Sequence, residues 1–150
     1  MNVVLVCPQI PQNTGNIGRL CVCTETTLHL IEPYSFDITE KAVRRSGLDY
    51  WPYLDLKVHS SWESFLASEK PEQMVFASTK TEKVYHQHQF KKDDYIIFGN
   101  EGSGLPEDFY EVYKDSLITI PMKGNYARSH NLSNSVAIVL YEGLRQIGEI

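Results

Sequence analysis

Asn2-Val3-Val4-Leu5-Val6-Cys7 sets five apolar residues in a row, three of them β-branched, directly after the first residue. A run without polar alternation is the pattern of a strand covered on both faces, as strands are in a parallel sheet between helices. Working outward, comparable short runs recur at 28–32, 56–59, 73–78, 95–99 and 116–120. Helical signals fall between them. Thr14 or Asn13 can cap a helix continuing through Leu20, and Thr39 or Asp37 can cap the Lys41–Arg45 segment. Ser60 with Glu63 forms a capping box ahead of Trp62, Phe65 and Leu66, and Pro106 occupies the first position of a helix over 107–113. Strands alternating with helices at this spacing predict one α/β domain over 1–150, with a mostly parallel sheet flanked by helices.

The last helix, 131–147, carries a core stripe of Val136, Val139, Leu140, Gly143, Leu144 and Ile147 at helical spacing. Ala137, Ile138 and Tyr141 add a second apolar strip beside it. A terminal helix that is apolar over so much of its circumference is either sunk deep in the domain or buried by a partner subunit; a short chain offers few deep positions, so a homodimer is expected.

Composition narrows the function classes. At 150 residues the chain fits one domain able to bury its own core. No apolar run approaches the roughly 18 residues of a membrane span, and the N-terminus lacks the basic start of a secretory signal. The expected location is therefore the cytoplasm, with no membrane partner. Cys7, Cys21 and Cys23 match no zinc module or redox pair and read as reduced thiols. His86 and His88 lack a third ligand nearby, so no metal is expected and 80–94 reads as an exposed polar loop.

The net charge of −5 excludes a generic nucleic-acid coat. Its distribution is uneven. Lys41, Arg44 and Arg45 share a helical face, and Lys80, Lys83, Lys91 and Lys92 crowd one region, giving a local basic surface on an acidic protein.

Three irregular segments, each directly after a strand, are rich in Gly, Asn, Pro and Ser. In open α/β sheets ligands sit beyond the carboxyl ends of strands, so all three can border one cleft. The first is residues 8–19, PQIPQNTGNIGR, where a helix start offers N–H groups to an anion and Arg19 lies one turn inside. An ordinary strand–turn–helix with a surface arginine fits the same spacing. The second is residues 98–106, FGNEGSGLP, whose glycines permit positive φ and close backbone approach. Its order is not the dinucleotide G-x-G-x-x-G, which disfavours a dehydrogenase. The third is Ile120-Pro121-Met122 followed by residues 128–135, RSHNLSNS, more small polar side chains than a helix cap needs.

In this order and separation, NTGNIGRLC, FGNEGSGLP and IPM with SHNLSNSVAIVLYE resemble the three motifs of the SPOUT methyltransferases. The likeness is to the TrmH/SpoU branch and its minimal TrmL-type members, the wobble-nucleotide tRNA 2′-O-methyltransferases, and it spans essentially the whole chain. The resemblance implies a C-terminal deep trefoil knot, a fold no pattern argument reaches. It also implies a homodimer, S-adenosylmethionine (SAM) as methyl donor and the tRNA anticodon stem-loop as partner. Carried over by position, the SAM pocket takes Ser78, Thr79, Gly99, Asn100, Glu101, Gly104, Ile120, Met122, Ser129 and Leu132. Arg19 corresponds to the family's catalytic arginine, with Asn16, Asn131 and Ser133 completing the site. Lys41, Arg44, Arg45, Lys80 and Lys83 are the expected RNA contacts. Two departures stand out: His130 replaces the usual Leu or Met, and Gly18 replaces a bulkier residue. The competing readings are a 2′-O-methyltransferase for another tRNA site or rRNA, and a non-catalytic SAM- or RNA-binding module.

Overall fold

The computed structural model describes residues 1–38 and 49–150. Its strands are β1 (Asn2–Val6), β2 (Thr27–Ile31), β3 (Leu56–His59), β4 (Met74–Ala77), β5 (Tyr95–Phe98) and β6 (Leu117–Ile118). They form one sheet in the order β3-β2-β1-β5-β4-β6, every neighbouring pair parallel. The described helices are α1 (Pro11–Cys23), α2 (Trp62–Glu69), α3 (Phe109–Val112) and α4 (Leu132–Ile147). None is long and apolar enough to cross a membrane.

The uninterrupted apolar runs are explained by a core on each side of the sheet. Val3 and Leu5 face a cluster with Ile17 and Cys21 of α1 and Val136, Val139, Leu140 and Leu144 of α4. Val4 and Val6 face the other side, with Phe65 of α2 and Phe109 of α3. Successive residues of β1 thus enter alternate cores, the period-2 consequence of the pleat, whereas the edge strand β3 leaves Lys57 and Val58 exposed. Tyr141 of α4 remains 45% exposed outside both.

Helix starts differ from the local expectation. α1 begins at Pro11 with no side-chain cap, so Asn13 and Thr14 lie inside its first turn. Pro11 lacks an N–H and presets φ, while the N–H groups of Gln9 and Ile10 donate to Glu101, 92 and 91 residues away in sequence. The cap of α2 is Ser61, not Ser60, its Oγ accepting from Ser64 N at 3.1 Å. α3 is shorter than 107–113, because the chain first closes a turn through Phe109 N to Pro106 O at 3.0 Å.

A buried polar chain crosses β2 and β3. His29 Nε2 meets Asn2 Oδ1 at 3.3 Å, His29 Nδ1 meets His59 Nε2 at 3.1 Å, and His59 Nδ1 meets Ser68 Oγ at 3.3 Å. Asn2 Oδ1 only accepts, so His29 carries its proton on Nε2, and both rings are satisfied in their neutral forms. Glu69 completes a group whose ligand atoms lie within 4.8 Å of one another, but its carboxylate is held by Lys57 Nζ at 2.8 Å. Burial lowers His29 to a pKa of about 4 and also lowers His59.

The segment 80–94 is not uniformly exposed. His88 turns inward against Phe90 and approaches Asp94 at 3.6 Å, while His86 stays exposed. Phe90 and Asp94 are buried. All three cysteines are free thiols, and burial pushes Cys21 up to about 12.

Candidate active site

The sheet order reverses between β1 and β5, and the carboxyl ends of β1, β4, β5 and β6 open together there. Beyond them lies a cavity of about 470 Å³, within the size range of small-molecule sites. Ala77, Phe98, Leu105, Ile120 and Leu132 supply its apolar lining, and Ser78, Asn100, Ser129 and Asn131 are among its polar edges.

The second motif forms the wall after β5. Asn100 and Gly104 exchange backbone hydrogen bonds at 3.0 and 3.1 Å, and Gly104 closes this turn at φ +78°. Asn100 Oδ1 accepts from Gly102 N and from both Ser103 N and Oγ, fixing the tip. Glu101 then reaches back to the first motif. Its carboxylate accepts from Gln9 N at 2.8 Å, Ile10 N at 3.1 Å and Asn13 Nδ2 at 3.0 Å. The anion at the start of α1 is therefore a side chain of this protein, and charge-assisted bonds of this kind are the strong ones.

The third motif joins the same network. Asn131 Nδ2 donates to Asn13 Oδ1 at 3.0 Å, while its Oδ1 caps α4 by accepting from Ser133 N at 2.9 Å and Asn134 N at 3.4 Å. Ser133 Oγ donates to the same oxygen at 2.6 Å. Glu101, Asn13 and Asn131 thus tie the three motifs into one frame. Its partners are distributed over the chain, so local spacing gave no sign of Asn13's role, although its motif was singled out.

The cavity gathers Ser78, Thr79, Gly99, Asn100, Glu101, Gly104, Ile120, Ser129, Leu132 and Asn131. Met122, Ser133, Asn16 and Arg19 do not line it. Arg19 is exposed, its guanidinium 5.0 Å from the ring centroid of Tyr50, whose hydroxyl donates to Gly15 O at 2.8 Å. Arg128 and His130 of the third motif border the cavity, as expected of that segment, and Tyr110 borders it without having been expected there. His130 is exposed.

Among the basic residues, Lys80 belongs to the cavity rim. Its Nζ pairs with Glu107 at 3.2 Å and lies 4.0 Å from the Tyr110 ring centroid, so it is engaged by protein groups. Lys83 is exposed outside the cavity. Lys41, Arg44 and Arg45 lie outside the described residues, as does Thr39, one of the two caps expected ahead of them.

Comparison with known proteins agrees with this arrangement. The tRNA (cytidine(34)-2′-O)-methyltransferase of Burkholderia ambifaria is 44% identical, over 98% of this chain and 96% of that protein. A solved structure concerned with the 2-OH methylation of C/U34 on tRNA is 36% identical, covers 99% of this chain and 97% of its own, and has a TM-score of 0.88. The SpoU methyltransferase AviRb of Streptomyces viridochromogenes, solved with AdoMet, shares the fold at a TM-score of 0.78 and 24% identity, over 97% of this chain and 60% of that one. The model of the SpoU rRNA Methylase family matches residues 1–141, almost the whole chain, and with its motifs meeting at one cavity this protein belongs to that family.

Proposed function

We propose that this protein transfers the methyl group of SAM to the ribose 2′-hydroxyl of nucleotide 34, a cytidine or modified uridine, in the anticodon stem-loop of tRNA. The observation that carries the reading is the convergence of three separate turns on one cavity, in a chain that aligns end to end with a curated nucleotide-34 enzyme. The cavity fits SAM: an apolar lining for the adenine ring, close backbone at Gly99, and a volume of about 470 Å³. Ser78, Thr79, Gly99, Asn100, Gly104, Ile120, Ser129 and Leu132 would hold it, with Met122 contributing backbone behind Ile120. Glu101, itself on the cavity wall, supports that pocket by fastening the second motif to the first.

SAM supplies an electrophilic methyl carbon for in-line displacement by the 2′-oxygen. The protein's task is alignment and electrostatics. Asn131 and Ser133 hold the start of α4 at the cavity edge, and Asn16 lies on the turn of α1 before Arg19. Arg19 binds the phosphate beside the target ribose and lowers the hydroxyl's pKa. A guanidinium's own pKa, above about 12, disqualifies it as a resting base.

Arg19 stands outside its own chain's cavity, so this role requires RNA or a second protomer to bridge the gap. The homodimer we infer, through the exposed strip of α4 around Tyr141, provides such a surface. Lys83 and the basic segment Lys41–Arg45 would extend it along the RNA backbone, with Lys80 at the cavity rim. The trefoil knot rests on the likeness of fold to the SpoU methyltransferases. The location that suits a tRNA substrate is the cytoplasm.

The decisive test is tritiated-methyl transfer to tRNA with mapping of the product nucleotide. Arg19→Ala is expected to lose roughly 10²- to 10³-fold in turnover with SAM affinity kept, on the scale of removing one preorganised donor. Near-normal turnover would remove Arg19 from the mechanism. Methylation elsewhere than nucleotide 34 would overturn the substrate.

A further inference from the structure

Most polar groups around the cavity are already engaged within the protein. Glu101 is occupied by two backbone N–H groups and Asn13, Asn131 by Asn13 and the start of α4, and Asn100 by its own turn. Lys80 is held by Glu107 and the Tyr110 ring. Arg19 rests against Tyr50, away from the cavity.

Arg128 differs from all of these. It borders the cavity, it is exposed, and its guanidinium has no hydrogen-bond or ion-pair partner among the described residues. The segment carrying it, 123–130, is exposed throughout, including Tyr126, yet it ends at Asn131, which is fixed by α4 and Asn13. The guanidinium is thus three residues from a rigid anchor and faces a site where a polyanion must approach. A planar fork of N–H donors matches two phosphate oxygens, whereas the ammonium of Lys80 is a point charge.

We propose that Arg128 binds a backbone phosphate of the RNA at the cavity mouth, so that the third motif positions the substrate as well as the cofactor. This rests on the RNA-methyltransfer reading above. It adds a second guanidinium beside Arg19: Arg19 acts from α1, while Arg128 acts from the cavity rim of the chain that holds the cofactor. The contact orients the target ribose over the methyl donor and contributes one phosphate neutralisation to RNA affinity.

The test uses full-length Arg128→Ala and Arg128→Lys with tRNA carrying the target anticodon. Arg128→Ala is expected to lower kcat/KM for tRNA by roughly 10- to 100-fold, with calorimetric SAM affinity within about twofold of the parent. The slope of log Kd for tRNA against log salt should fall by about one. Arg128→Lys should restore most of that slope but only part of kcat/KM, since charge returns without the fork. An unchanged salt slope with unchanged kcat/KM overturns the proposal. A selective loss of SAM affinity also overturns it, assigning Arg128 to the cofactor's carboxylate. If the parent protein binds tRNA without transferring methyl, the enzymatic reading falls, while the salt slope still decides whether Arg128 meets phosphate.

Discussion

Gly99→Ala should be the most damaging single-methyl change in the site. A Cβ at this position would lie 2.0 Å from Gly104 C, 2.2 Å from Gly104 O and 2.2 Å from Leu105 N. All three are backbone atoms, so no side-chain rotation relieves the contact. The two sides of the turn must separate, which breaks the reciprocal bonds between Asn100 and Gly104 at 3.0 and 3.1 Å. Overpacking costs about 1–3 kcal/mol and each lost bond about 1 kcal/mol, giving a destabilisation of about 3–5 kcal/mol. The same displacement shifts Glu101 from α1 and spoils the cavity wall, so SAM affinity should fall roughly tenfold or more. Urea unfolding and SAM calorimetry measure both effects. Two other glycines calibrate the result. At Gly102 the nearest atom is the movable Gln9 Oε1, 2.9 Å away, and at Gly124 nothing lies within 4 Å. The expected order of damage is Gly99, then Gly102, then Gly124, the last within about 0.5 kcal/mol of the parent. A Gly99→Ala protein as stable and as SAM-competent as Gly124→Ala would refute the close-approach argument.

Acid should destabilise the fold through His29. Burial holds its folded pKa near 4 against 6.5 when free, so between those values the unfolded chain binds a proton that the folded one refuses. Stability is complete above pH 6.5 and falls as pH drops towards 4, by about 3 kcal/mol from this group alone. Urea midpoints at pH 7 and pH 5 should show this, and His29→Gln should flatten the difference; an equally steep loss in that variant would assign the effect elsewhere. Glu101→Gln keeps one acceptor oxygen but loses the charge that Gln9 N, Ile10 N and Asn13 Nδ2 share. A loss of about 1–3 kcal/mol with weakened SAM binding is expected, read by thermal melting and calorimetry, and unchanged values would show the clamp to be dispensable.

The sequence by itself determined the layered α/β fold, because the central strands are buried on both faces and that demands uninterrupted apolar runs such as Val3–Val6. All six strands were legible, β3 to the residue. The membership of Gly99, Asn100, Glu101, Ile120 and Leu132 in one cleft was legible too, since their glycine- and asparagine-rich turns follow strands that a parallel sheet brings to one edge. What only the tertiary structure decided are partners far apart in the chain. Glu101 caps the start of α1, so no local residue marks that boundary, and Asn13 becomes the link between Glu101 and Asn131. The neutral pairing of His29 with His59 joins neighbouring strands, a register that only the formed sheet creates. Arg19 and Arg128 are indistinguishable as basic residues beside a motif. Folding turns one towards Tyr50 and leaves the other at the cavity without a partner among the described residues, because helix direction and loop path, rather than residue type, set where a guanidinium can reach.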